Sequence, residues 1–165
     1  MKPCNKLGRI VSRLNKLSPK FRIPLMSFFF GRVIKFAGTA KVRIDKLEFT
    51  QSCLTLKNRK LVQNHIGSVH AAATGLLGES ATGFLIGMHV PDDKIPLLKS
   101  MHVDYVKRSS GDLTAVATLT DEQIQRMRND DKGDVNVKVV ITDAVGVNPV
   151  ECEFVWAWIP KKRKN

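Results

Sequence analysis

The sequence lacks the residue patterns that build several common kinds of site. Its three cysteines, Cys4, Cys53 and Cys152, are odd in number, widely spaced and form no C-x-x-C pair, which argues against a disulfide scaffold and a cysteine-built zinc centre. No G-x-G-x-x-G, G-x-x-x-x-G-K-S/T, G-x-S-x-G or H-E-x-x-H pattern is present, so dinucleotide, P-loop, nucleophile-elbow and zincin chemistry have no foothold. His89 and His102 stand alone without a second ligand at a usable spacing, and neither a metal nor a redox cofactor is expected. Long apolar runs are scarce too. Residues 23–30 are interrupted by Pro24 and follow a long basic stretch, unlike a secretory signal. Residues 71–88 are long enough to span a bilayer but carry Glu79 at their centre and glycines at 75, 78, 83 and 87, and they read as a buried helix of a cytoplasmic protein. Internal repeats and low-complexity segments are absent.

Acidic residues are scarce at one end. Residues 1–60 hold 15 Lys/Arg against 2 Asp/Glu, residues 61–160 hold 8 against 13, and residues 161–165 hold 4 against none. The net charge of +12 is therefore a property of the ends, on a mildly acidic body. With 165 residues, 43% of them apolar, the chain has material for one core. We divide it into a basic helical segment (1–36), a main unit (37–160) and a basic tail (161–165), one domain overall.

Periodicity supplies the elements. Leu7, Ile10, Val11, Leu14 and Leu17 recur at helical spacing, with Lys6, Arg9, Arg13 and Lys16 opposite, giving an amphipathic helix over 6–20. A second, shorter helical piece runs through Phe28, Phe29 and Phe30. A strand pair follows at about 39–58, then the Ala/Gly-rich helix. Four period-two runs come next, at 101–105, 113–119, 135–141 and 150–158, separated by turn formers. Thr120 and Gln123 make a capping box that starts a short helix to about Asn129. Helices and strands are segregated, which predicts an α+β antiparallel sheet.

Chemistry concentrates at residues 64–73, Asn-His-Ile-Gly-Ser-Val-His-Ala-Ala-Ala, where polar residues meet the start of the apolar helix. Ser68 can serve as N-cap, leaving the N–H groups of residues 69–72 free for an oxygen that gains negative charge, although an ordinary capped helix fits equally well. Glu79 is the one charged residue between Lys60 and Asp92 if the histidines are neutral. Burying a carboxylate costs several kcal/mol without a partner, so it needs either a role or a salt bridge. His70 and Glu79, nine residues apart, fall on roughly opposite faces of one helix. A site using both would assemble from two copies across a symmetric interface.

The pattern Asn64-x-x-Gly67-x-x-His70, two small residues and an acid nine positions after the histidine resembles the N-x-x-G-x-x-H-G-G…D/E signature of hotdog-fold acyl-CoA thioesterases of the phenylacetate-pathway type. Together with Tyr105-Val106-Lys107-Arg108-Ser109-Ser110-Gly111-Asp112, the wording is similar still more closely to a thioesterase-related hotdog branch described mostly as a domain of unknown function. The resemblance covers about residues 20–160. It implies an α+β hotdog, an antiparallel sheet wrapped around the central helix, forming homodimers or homotetramers. It further implies Glu79 as general base or nucleophile, Asn64 orienting water or thioester, the Ala71 N–H as oxyanion donor and His70 holding that loop. Gly67 and Ala72 would border the substrate, and Lys107 and Arg108 would meet the coenzyme A phosphates, with coenzyme A entering only as part of the substrate.

Two departures accompany the resemblance. Ala71 and Ala72 stand where glycines are usual, and Glu79 is one methylene longer than the commoner aspartate. A displacement near 1 Å can cost about 10²-fold in rate. A non-catalytic hotdog that binds acyl-CoA or fatty acyl groups is therefore the rival reading. A third is an adaptor on a membrane surface or nucleic acid driven by the basic N-terminal segment, where the helix at 6–20 could lie on anionic lipid, gate an acyl tunnel or simply pack on the sheet edge. Nucleic acid is not expected as a partner, because the aromatic cluster at 28–30 is too apolar to serve as stacking platforms.

Overall fold

The structure is a computed structural model, and it describes residues 2–161. Of the expected basic tail, only Lys161 falls within that range. In chain order the elements are α1 (Lys6–Leu14), α2 (Pro19–Val33), α3 (Lys35–Ala40), β1 (Arg43–Leu47), β2 (Gln51–Leu56), a 3-10 turn (Lys60–Val62), α4 (Ala71–Gly87), β3 (Lys94–Tyr105), β4 (Leu113–Thr118), α5 (Asp121–Asn129), β5 (Gly133–Asp143) and β6 (Val150–Pro160). The strands form one six-stranded antiparallel sheet in the order β1-β2-β4-β5-β6-β3. One face of that sheet packs along α4.

Local sequence explains most boundaries. The Asn5 side chain accepts the Gly8 N–H at 2.7 Å and starts α1, while its amide donates to the carbonyls of Gly87 and Val90. The first helix is thereby tied to the end of α4. The expected helix over 6–20 stops at Leu14, because Ser18 and Pro19 begin α2. The second helical piece is thus the longer of the two, at 15 residues rather than a short one. Ser27 on α2 accepts the Ile44 N–H at 2.9 Å, so α2 covers the β1 edge of the sheet. The capping box at Thr120 forms as expected and opens α5.

The third strand begins at Lys94, seven residues before the alternation at Met101 becomes visible. It pairs only with β6, and its other side is open, which accommodates Pro96 without loss of a ladder bond inside the sheet. Ile95, Leu97, Leu98, Met101 and Tyr105 are all exposed along it.

Small residues on α4 let the helix close on the sheet. A Cβ added to Gly78 would lie 2.6 Å from the ring of Phe154, and one added to Gly83 would lie 2.7 Å from the ring of Trp156. Phe154 is fully buried, and the Trp156 indole N–H donates to Thr82 at 3.0 Å, so neither ring has room to retreat. Replacing Gly78 by Val should cost about 3 kcal/mol through overpacking, read as a lowered urea midpoint with unchanged slope. An unchanged midpoint would show that the helix can lift off the sheet.

Cys4, Cys53 and Cys152 are free and partly buried. Burial pushes the Cys152 thiol up to about 11, which makes it a poor nucleophile. His89 is a core histidine: burial lowers its pKa to about 4, one ring nitrogen meets the Phe49 carbonyl at 2.6 Å, and the other lies 3.3 Å from Arg128.

Candidate functional site

The loop before α4 is built by its own side chains. Asn64 Oδ1 accepts the N–H groups of Ile66 and Ser68, both at 3.1 Å, and the Asn64 N–H donates to the Ser68 carbonyl. Gly67 takes a positive φ of 77° at the tip, which explains glycine at that position, and its carbonyl accepts from Asn58. The helix cap is not Ser68, as the sequence suggested, but His70, whose Nδ1 accepts the Ala72 N–H at 3.1 Å. Ser68 instead donates to the Ser109 carbonyl and accepts from Arg108, and so bridges to the loop after β3. The expected row of free N–H groups at 69–72 is correspondingly shorter. The His70 N–H donates to Val62 and that of Ala72 is capped, which leaves those of Val69 and Ala71 with no acceptor among the described residues, Val69 buried and Ala71 exposed.

Ala71 lines a cleft of about 200 Å³ together with Asn64, Tyr105, Lys107, Arg108 and Thr74. Four of the eight residues singled out by sequence thus meet in one place. Arg108 is partly committed there, donating to the Ile66 carbonyl at 3.0 Å and to Ser68, whereas Lys107 is exposed at the mouth. His70 and Ala72 face a separate cleft of about 230 Å³ lined by Phe36, Leu61, Val62 and Leu76.

Glu79 lines neither cleft. It lies one turn after Gly75, which faces the Met101 sulfur, and one turn before Gly83, which faces Trp156. Met101 and Leu98 pair with Phe154 and Trp156, so this stripe of α4 runs over the seam between β3 and β6. The carboxylate is half-buried and has no cation within ion-pair distance among the described residues, so the salt-bridge reading falls away. Burial pushes its pKa above the ordinary glutamate range, against a smaller opposing influence of the Ser80 hydroxyl. Within one subunit Glu79 is not brought together with Asn64, His70 or Ala71.

Two residues that shape this region were not singled out. Tyr105, the one tyrosine, donates its hydroxyl to the Ala71 carbonyl at 2.6 Å and pins the helix start to the end of β3. Asp143 accepts the N–H groups of Ser110, Val145 and Val147 at about 2.9 Å, and this backbone bonding, that of Val147 first, holds its carboxyl below the usual range. Tyr105 reads as a strand residue and Asp143 carries no sequence signal, and only the tertiary pairing of the two loops shows their part. Among the described residues no cluster of His, Cys, Asp and Glu could hold a metal.

Asn64 can be tested directly. Asn64→Ala removes both accepted N–H bonds and should speed amide exchange at Ile66 and Ser68 by about fivefold, at about 1 kcal/mol for such bonds. Asn64→Asp keeps the acceptor and should leave exchange unchanged, so any functional loss in that variant reports on the side-chain N–H₂ and the added negative charge rather than on the loop.

The sheet, the helix packed along it and the order of the strands are those of the hotdog fold. Solved structures similar to it include a Pseudomonas aeruginosa protein of unknown function described as a probable thioesterase, at 22% identity over 84% of this chain and 95% of that one, with a TM-score of 0.74. A Staphylococcus aureus thioesterase is similar at 19% identity over 76% and 99% (TM-score 0.64), and a Haemophilus influenzae thioesterase at 12% over 79% and 87% (TM-score 0.63). No curated protein matches the chain. The model of the family described as Domain of unknown function (DUF4442) matches residues 24–159, and the chain belongs to that family.

Proposed function

We propose that the protein is a homo-oligomeric acyl-CoA thioesterase whose site forms between two subunits. Glu79 of one subunit acts as base or nucleophile on a thioester held by Asn64, His70 and the Ala71 N–H of its neighbour. One observation carries the reading: a half-buried carboxylate with no cation beside it among the described residues, on the stripe of α4 that runs under the open β3 edge. A raised pKa suits a base working near neutral pH. Pairing of two β3 edges would bring each Glu79 toward the other subunit, cover the exposed apolar residues of that strand and satisfy its unpaired backbone groups. The phosphates of coenzyme A would lie at Lys107, with Arg108 bracing the loop, and the reaction would take place in the cytoplasm without a cofactor.

A specific observation favours the second reading, acyl-CoA binding without turnover. The Asn64 carbonyl oxygen is already engaged by two backbone donors, and Ala71 and Ala72 narrow the approach. Free thiol release from short, long and aromatic acyl-CoAs tests both. Release establishes the thioesterase, and saturable acyl-CoA binding without release establishes the binding protein.

A further inference from the structure

The strongest unexplained feature lies at the end of the sheet away from β3. Residues 1–44 contain 11 Lys/Arg and no Asp or Glu. Folding gathers part of that charge around an open groove of about 850 Å³ between α2, α3 and the start of β1. Its rim carries Arg32, Lys35, Lys41, Arg43, Lys57 and Arg59, and no acidic residue lines it. Arg43 is paired with Asp45 at 2.7 Å and Arg59 donates to the Ala40 carbonyl, but Arg32, Lys35, Lys41 and Lys57 pair with no carboxylate among the described residues. Backbone contributes to the floor, because Gly31 and Gly38 bring α2 and α3 into contact where a Cβ on Gly38 would collide with the Gly31 carbonyl oxygen.

An apolar stripe continues from this rim. Phe21, Leu25 and Phe28 follow one another at helical spacing on the outer face of α2, Leu17 is exposed just before that helix, and Phe21 and Phe28 are 64% and 62% exposed. Arg32 caps the stripe, its guanidinium 5.3 Å from the centre of the Phe28 ring. The inner face of the same helix is buried at Met26 and Phe30, so the outer stripe is spare to the core. The basic helix suspected from sequence, α1, is not this surface, since Gly8 and Val11 pack inward.

We infer that this face docks the protein on a bilayer rich in anionic phospholipid, with Phe21, Leu25 and Phe28 entering the interface and the groove cations meeting the headgroup phosphates. The two features together select that partner. A soluble phosphate ligand would use the groove but leave the stripe unexplained, and nucleic acid has no use for Leu17 and Leu25. A second copy would set four unpaired cations against four across a two-fold axis. The docking needs no catalysis and stands whether or not the protein turns over a thioester.

Sedimentation of the full chain with vesicles tests the docking. We expect binding to phosphatidylcholine mixed with phosphatidylserine, little binding to phosphatidylcholine alone, and a steep fall with added salt. R32Q/K35Q should weaken binding about 25-fold, at roughly fivefold for each basic residue near an anionic surface. F21S/F28S should weaken it at least as much, and because all four side chains are outside the core, both variants should melt like the parent. Equal binding to neutral vesicles, or none to anionic ones, overturns the inference. So does full binding by F21S/F28S, which would leave a groove for a soluble anion, or a fall in oligomer size in that variant, which would make the stripe a contact between copies.

Discussion

Glu79→Gln should abolish thiol release and at the same time make the protein more stable at neutral pH. A positioned general base contributes about 10²–10⁴-fold, so a loss of that size in kcat with little change in KM is the expected kinetic result. The stability change follows from burial, which raises the pKa of Glu79. A carboxyl with a raised folded pKa favours the fold while protonated, and that contribution is lost as pH rises through the folded value. At neutral pH the ionised Glu79 therefore opposes folding, and the neutral glutamine relieves it. The gain in Tm should grow as pH rises from the ordinary carboxylate range to the folded pKa, level off above it and vanish below that range. Rate against pH in the parent should show an acid limb displaced upward from that range. A variant that is less stable than the parent at pH 7 would mean that Glu79 has a partner after all and is structural. Retained release would move the base elsewhere.

The sequence announced the fold well because its strongest signals were local. Thr120 and Gln123 form their capping box, and the alternating runs of β4, β5 and β6 bury the side they should. The Ala/Gly-rich stretch becomes the helix against the sheet, since Gly78 and Gly83 are where Phe154 and Trp156 lie. Misplaced boundaries had non-local causes. The first half of β3 looks irregular because both faces of this edge strand are largely exposed, so no buried face demands alternation. Ser68 and His70 both stand where a cap belongs, and the choice was made by Ser109 and Arg108, some 40 residues away, which engage Ser68. The candidate site was legible as a set of residues but not as a place. Asn64, Ala71, Lys107 and Arg108 converge on one cleft, His70 and Ala72 turn to another, and Glu79 lies under the sheet edge. No spacing within one chain encodes a meeting that one chain does not make.

That separation makes the oligomer the decisive variable. If the site is shared, a charged edge should destroy both assembly and activity. Leu97 and Met101 are about half exposed on β3, at 47% and 51%, so L97K/M101K removes nothing from the core of the subunit. Lysines on an edge strand are a standard obstacle to edge-to-edge pairing, because two copies would bring like charges together as the strands met. Light scattering at micromolar concentration should show the parent as a dimer or tetramer and the variant as a monomer, with near-native circular dichroism. Thiol release should fall at least as far as in Glu79→Gln, since separation removes base and oxyanion donor from one another at once. Mixing supplies the sharper readout. An assembly of Glu79→Gln subunits with Asn64→Ala subunits should recover part of the activity that each lacks alone, because one of the two interface sites then carries both intact residues. A fully active L97K/M101K monomer would end the composite site, and Glu79 would have to act with groups of its own subunit.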